Sequence, residues 1–160
     1  MAKDVIRQAL ATSRQVFTML LQDLSDADLL VRPSASANHI AWQIGHVIAS
    51  EHRMLTNMVP DLAPALPEGF ADLHAASTAK DDNGFLTKAE YLAQYGRVRK
   101  VTLAALDRLP EADLDRPNPG PTAPIAPTIG ALFLLVANHG LLHAGQFSVV
   151  RRKLGKPTLF

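Results

Sequence analysis

His139 and His143 stand four residues apart in the apolar stretch Ala137-Asn138-His139-Gly140-Leu141-Leu142-His143-Ala144-Gly145-Gln146-Phe147, with no proline nearby. On an α-helix, residues i and i+4 lie one above the other on the same face. Two imidazoles so placed could grip one metal ion, as the H-E-x-x-H helix of metalloproteases does. Core packing produces the same spacing, so the reading depends on a third ligand. Gly45-His46-Val47 supplies a candidate in a second apolar segment. His39 lies two turns earlier and could point the same way, towards a pocket mouth or simply into solvent from the first turn. His52, six residues beyond His46, falls more than about a hundred degrees round the helix and is expected to meet solvent. His74 falls in a loop. The chain has no cysteine, so there is no disulfide framework and no thiolate nucleophile or ligand, and any metal must be held by histidine and carboxylate. One histidine from one helix and two from another would leave a coordination position open for water, the pattern of catalytic rather than structural sites. The alternative, core or interface histidines each bonded to a backbone carbonyl, stays open on spacing alone.

The rest of the chain must position these side chains. Its 160 residues read as one domain, 1–160, with 48% hydrophobic residues, enough for a substantial core. A net charge of +1 gives no electrostatic reason to expect nucleic acid or an anionic membrane as partner. Met1-Ala2-Lys3-Asp4 and the amphipathic pattern after it do not look like a signal peptide. The most apolar run, 129–137, is far short of the roughly 20 residues that span a bilayer. The expectation is a soluble, cytoplasmic protein.

Apolar residues at helical spacing (Ile6, Leu10, Phe17, Leu20, Leu21, Leu24) predict a first helix over 2–24. Pro33 interrupts the pattern. Ser36 or Asn38 can cap a second helix that carries Ile40, Ile44, Val47, Ile48 and Leu55 and ends near Val59-Pro60. Residues 60–87 show no sustained period, a connection long enough to be functional or a crossover. Thr87 and Glu90 form a capping box for a third helix, with Tyr91, Tyr95, Val98, Leu103 and Leu106 on its apolar side. After a proline-rich loop, the fourth helix runs over 128–154, with Gly155 as its stop. Leu24-Ser25-Asp26-Ala27-Asp28-Leu29 is echoed by Leu109-Pro110-Glu111-Ala112-Asp113-Leu114, and Ile40-Ala41 and Ile44-Gly45 recur at the same offset. Two helix–loop–helix units joined by a long crossover make an all-α, four-helix bundle.

The segments Asn38-His39-Ile40-Ala41-Trp42-Gln43-Ile44-Gly45-His46 and Asn138-His139-Gly140-Leu141-Leu142-His143-Ala144-Gly145-Gln146, followed by Arg151-Arg152-Lys153-Leu154-Gly155-Lys156-Pro157, resemble the DinB/YfiT-like superfamily of candidate metalloenzymes. The resemblance covers the helix order and nearly the whole length. It implies an up-down-down-up bundle with the crossover between helices two and three, often a homodimer, with His46, His139 and His143 as ligands of one divalent metal. Family members with assigned chemistry include thiol-dependent transferases and isomerases of small molecules. One departure is that no carboxylate or histidine here carries over as a general base.

Imidazole ligands suit zinc or nickel. Gln43, Asn138 and Gln146 are near enough to orient the imidazoles, and Gln146 extends the ligand stripe, though a surface role suits it as well. Trp42 and Phe147 read as core aromatics and Glu51 as a surface carboxylate. Arg151, Arg152, Lys153 and Lys156 suit the negative end of the last helix, or an anion-binding patch. The 60–87 connection is either a lid or a passive crossover. The function expected is a metal-dependent, small-molecule transferase or hydrolase, with a low-molecular-weight thiol as a candidate partner and the catalytic residues unassigned. The alternative is a non-catalytic bundle whose metal site or histidine cluster is structural.

Overall fold

In the computed structural model, which describes residues 2–159, helix boundaries follow local capping chemistry. The helices are α1 (Ala2–Leu21), α2 (Asp26–Leu29), α3 (Ile40–Met58), α4 (Phe70–Leu73), α5 (Lys88–Arg108) and α6 (Ile129–Lys153). Thr87 opens α5 with the expected capping box: its hydroxyl accepts from the Glu90 N–H, and the Glu90 carboxylate accepts from the Thr87 N–H. Thr128 caps α6 through the Ala131 N–H, and Gly155 stands beyond its end with φ +67°, the left-handed backbone a glycine adopts freely. Neither Ser36 nor Asn38 caps α3. His39 does, its Nδ1 accepting from the Trp42 N–H at 3.0 Å. The first helix stops at Leu21 rather than Leu24, because Ser25 and Asp28 form a second capping box and start α2. At the equivalent point of the echo, Glu111–Asp115 also folds as a short helical turn.

The long helices pair as α1 with α6, α6 with α3, α3 with α5, and α5 with α1. Among the described residues there is no strand, only an isolated bridge between Pro117 and Thr128. One apolar cluster centres on Phe17, Ile44, Tyr91 and Phe147, another on Leu10, Leu55, Leu106 and Phe133. At the α1–α6 contact Ser13 donates to the Ala137 carbonyl at 2.8 Å. A Cβ on Gly140 would stand 2.7 Å from the Ser13 oxygen, so a glycine is what allows this close approach. By length and composition α6 could cross a membrane, since the helix continues through both histidines well past 137. Here it is packed against α1 and α3 with Leu132, Phe133, Val136, Ala144 and Phe147 in the core.

Glu51 is not a surface carboxylate. It is buried and receives two parallel hydrogen bonds from Arg99 of α5, Nε to Oε1 and Nη2 to Oε2, both 2.8 Å, plus one from the Thr102 hydroxyl. Arg99 also donates to the Leu10 carbonyl of α1, so one ion pair ties three helices. Position 51 falls in register with Ile44, Ile48 and Leu55, on the apolar side of α3; a carboxylate there reads as a surface residue only because its partner on α5 is invisible from α3 alone. Breaking such a pair leaves a buried charge uncompensated, at a cost of about 3–5 kcal/mol, whereas removing both partners costs far less. Glu51→Ala should therefore lower unfolding stability by about that amount, with Glu51→Met/Arg99→Met recovering most of the loss in urea denaturation. Equal stability of single and double variants would contradict this account.

Candidate metal centre

One stripe of α3, beginning at its cap, is polar. His39, Gln43, His46, Ser50, Arg53 and Asn57 recur at the three- and four-residue steps that align side chains along a helix. Opposite them, α6 presents His139 and His143. The three sequence-predicted ligands come together: one ring nitrogen each from His46, His139 and His143 lies within 4.8 Å of the others. The ring centroids are 5.3 Å apart for His46–His139 and for His46–His143, and 4.8 Å for His139–His143. A tetrahedral ion with bonds of ~2.1 Å spaces its nitrogens roughly 3.4 Å apart, so nitrogens within 4.8 Å of one another need to close by at most about 1.4 Å.

The orientation of His143 is determined by hydrogen bonding. Gln43 donates its amide N–H to the Asn38 carbonyl at 3.0 Å, which leaves Oε1 facing His143 Nδ1 at 2.9 Å. An amide oxygen can only accept, so Nδ1 carries the proton and Nε2 presents its lone pair. Trp42, buried as expected of a core aromatic, also lies flat on the His46 ring, 4.8 Å between centroids and 12° between planes. Its indole N–H donates to the Ala75 carbonyl of the 60–87 connection. Gln146 and Asn138 are exposed and contribute to neither arrangement, whereas Phe147 is fully buried core.

Two residues outside the predicted set shape the surroundings. His39 is fully buried, lining no pocket mouth and not facing solvent; it caps α3 and uses Nε2 to hold the Asp81 carbonyl at 3.0 Å. His74, at the end of α4, is equally buried: Nδ1–H donates to the Phe70 carbonyl and Nε2 accepts from the Tyr91 hydroxyl, both at 2.7 Å. Its ring lies where a Cβ on Gly45 would be, 2.0–2.4 Å away. The 60–87 connection is thus anchored to α3 and α5 rather than passing over them. A pocket of about 390 Å³ lies between it and α3, lined by His46, Ser50, His52, Arg53, Leu66 and His74 among others. A second, about 230 Å³, opens between α3, α6 and the proline-rich loop, with His46, His139, Arg53, Met54, Ile125 and Leu135 in its wall. The loop is held by Asn118, which donates its side-chain N–H to the Ala126 carbonyl and its backbone N–H to that of Pro127. At the far end of α6, Arg151 pairs with Asp23, and Lys153 and Lys156 cap backbone carbonyls.

Electrostatics favour neutral, ligand-ready imidazoles. Burial pushes His143 down to about 3, with His139 and His46 adding to the shift. Burial, then His46 and Arg53, bring His139 to about 4. His46 is lowered too, mainly by burial, with the His74 backbone opposing. Metal ligation requires the deprotonated ring, and at neutral pH all three have it.

A helical protein whose paired helices converge three imidazoles beside an open pocket defines the class. Residues 9–147 match the DinB superfamily, and the chain belongs to that family. Its fold is similar to the crystal structure of a conserved protein from Enterococcus faecalis, with a TM-score of 0.72 over 96% of this chain and 97% of that one, at 17% identity. No curated protein matches the sequence.

All six histidines have lowered pKa values. Below the ordinary value of 6.5 the unfolded chain takes up protons that the folded chain refuses, so stability falls as pH drops and is unaffected above it. For the metal-free protein, the urea midpoint should be flat near pH 7–8 and decline from about pH 6.5 towards 4. His139→Asn/His143→Asn should give a shallower decline; an unchanged slope would show that these two rings do not take part.

Proposed function

We propose that this protein is a metal-dependent enzyme that holds one divalent ion, zinc or nickel, on His46, His139 and His143 and acts on a small molecule as a thiol-dependent transferase or a hydrolase. The observation that carries the reading is the convergence of three neutral imidazoles beside a pocket, with the His143 tautomer set by Gln43 so that Nε2 keeps its lone pair free. The donor set fits the group: nitrogen ligands, buried and unprotonated, with a hydrogen-bond partner behind one of them. Such an ion lowers the pKa of a bound water or thiol towards neutrality. The chain's own contribution is to orient the rings, with Trp42 backing His46 and Gln43 backing His143, and to shield them between the anchored connection and the proline-rich loop.

The same reading includes the up-down-down-up order of the long helices, with 60–87 as the crossover; the pairing of α1 and α5 around α3 and α6 supports it. It also includes a homodimer, supported by Leu134, Leu141, Leu142 and Val149 exposed on one side of α6. A cytoplasmic setting fits the absence of cysteine. One observation favours the alternative, a structural site without catalysis: neither pocket beside His46 is lined by an aspartate or glutamate that could serve as general base.

Metal analysis of the purified protein tests the site. One equivalent is expected in the wild type and essentially none in His46→Ala, His139→Ala or His143→Ala, each still folded by circular dichroism; folded, metal-free wild type after incubation with zinc or nickel would refute it. Gln43→Leu removes only the acceptor behind His143 and should weaken metal binding about 10–100-fold. To separate enzyme from structural site, thiol transfer to an electrophile is compared before and after chelation, beside the melting temperature. Loss of the fold with no activity in either state favours the alternative.

A further inference from the structure

Five of the ten arginines, Arg7, Arg32, Arg99, Arg116 and Arg151, form ion pairs with carboxylates among the described residues. Arg53 is not one of them, and it stands beside the three histidines. It is exposed, and its one hydrogen bond among the described residues is a long 3.4 Å contact to the Ser50 hydroxyl. It stands seven residues after His46, two turns along the same face, and lines both pockets that His46 lines. Its charge is felt at the site, since it helps lower the pKa of His46 and of His139.

The local charge is unbalanced. Three neutral imidazoles would leave a bound divalent ion its full charge, Arg53 adds another, and no acidic side chain lines either pocket to offset them. A cationic site with apolar walls selects an anionic ligand with an apolar body. In the 230 Å³ pocket, Met54, Ile125 and Leu135 supply those walls, and Asn57 stands one turn beyond Arg53 on the same stripe. A planar guanidinium with free N–H groups is matched by a carboxylate, which it can hold through two parallel hydrogen bonds.

We propose that Arg53 is the substrate-binding residue of this site and that the small-molecule substrate, or its thiol partner, carries a carboxylate held by Arg53 while its reactive end lies at the three histidines. This rests on the metal-site reading above for the position of the reactive end, but the carboxylate contact itself does not require the metal.

Two thiols of similar size distinguish the idea: 3-mercaptopropionate carries the carboxylate, and 3-mercapto-1-propanol replaces it with a hydroxyl. Both are titrated into cobalt-loaded protein, following the thiolate-to-cobalt absorption. The carboxylate compound should bind about tenfold more tightly or better, the scale of one charge-assisted pair. Arg53→Gln should abolish that preference while leaving cobalt content unchanged. Equal affinities in the wild type, or a preference that survives in Arg53→Gln, would overturn the proposal while the metal site stands. If cobalt does not bind, the metal reading fails instead. The arginine is then tested in the metal-free protein by NMR, where a shift of the Arg53 Nε–H with propionate but not 1-propanol supports the proposal and no shift overturns it.

Discussion

The rotation of α3 about its own axis is the setting on which everything else in this fold depends, and the buried Glu51–Arg99 pair holds it. Five residues separate His46 from Glu51, roughly 140° around the helix. When Glu51 is docked on α5, the opposite side of α3 is turned towards α6, and His46 meets His139 and His143. Arg99 reaches the Leu10 carbonyl as well, so α1, α3 and α5 share one electrostatic reference point. Buried pairs of this kind add little net stability compared with apolar packing, but they tolerate few alternative arrangements. A site that must bring three rings within an ångström or so of their working spacing needs that kind of discrimination more than it needs extra stability.

Much of this was legible from sequence, for identifiable reasons. Amphipathic period and capping residues located the long helices, because each signal is local: Thr87 with Glu90, Thr128 ahead of the apolar run, Gly155 after it. His139 and His143 were legible because their relation lies within a single helix. The expectations that failed concern residues whose partners come from elsewhere. Glu51 looked like a surface residue because Arg99 is 48 positions away, and His39 looked like a mouth or solvent residue because the carbonyl it holds belongs to Asp81. His74 gave no periodic signal at all, lying in a segment where only a four-residue helix forms. Arg53 could have been found. It lies seven residues after His46, on the same face, in a helix already recognised.

The site is accordingly built in two layers of different origin. The rings come from α3 and α6, long helices whose cores define the fold. Part of the pocket walls comes from the 60–87 connection and the proline-rich loop, which are pinned by side-chain contacts such as Trp42 Nε1–H to Ala75, His39 to Asp81 and Asn118 to Ala126. The family match runs through both layers, and Arg53, on α3, borders both pockets.

Gly45 and His46 are adjacent in sequence but answer to different masters. His46 faces the other histidines, while the missing side chain at 45, about 100° round the helix, makes room for the ring of His74. The glycine therefore bears on the histidine site only through the seating of His74. Across descendants of this chain, position 45 should covary with position 74 and with the length of the connection that delivers it, and be free to drift wherever that ring is lost. The two halves of a two-letter motif would then record separate histories, one of chemistry and one of how a loop was fastened down.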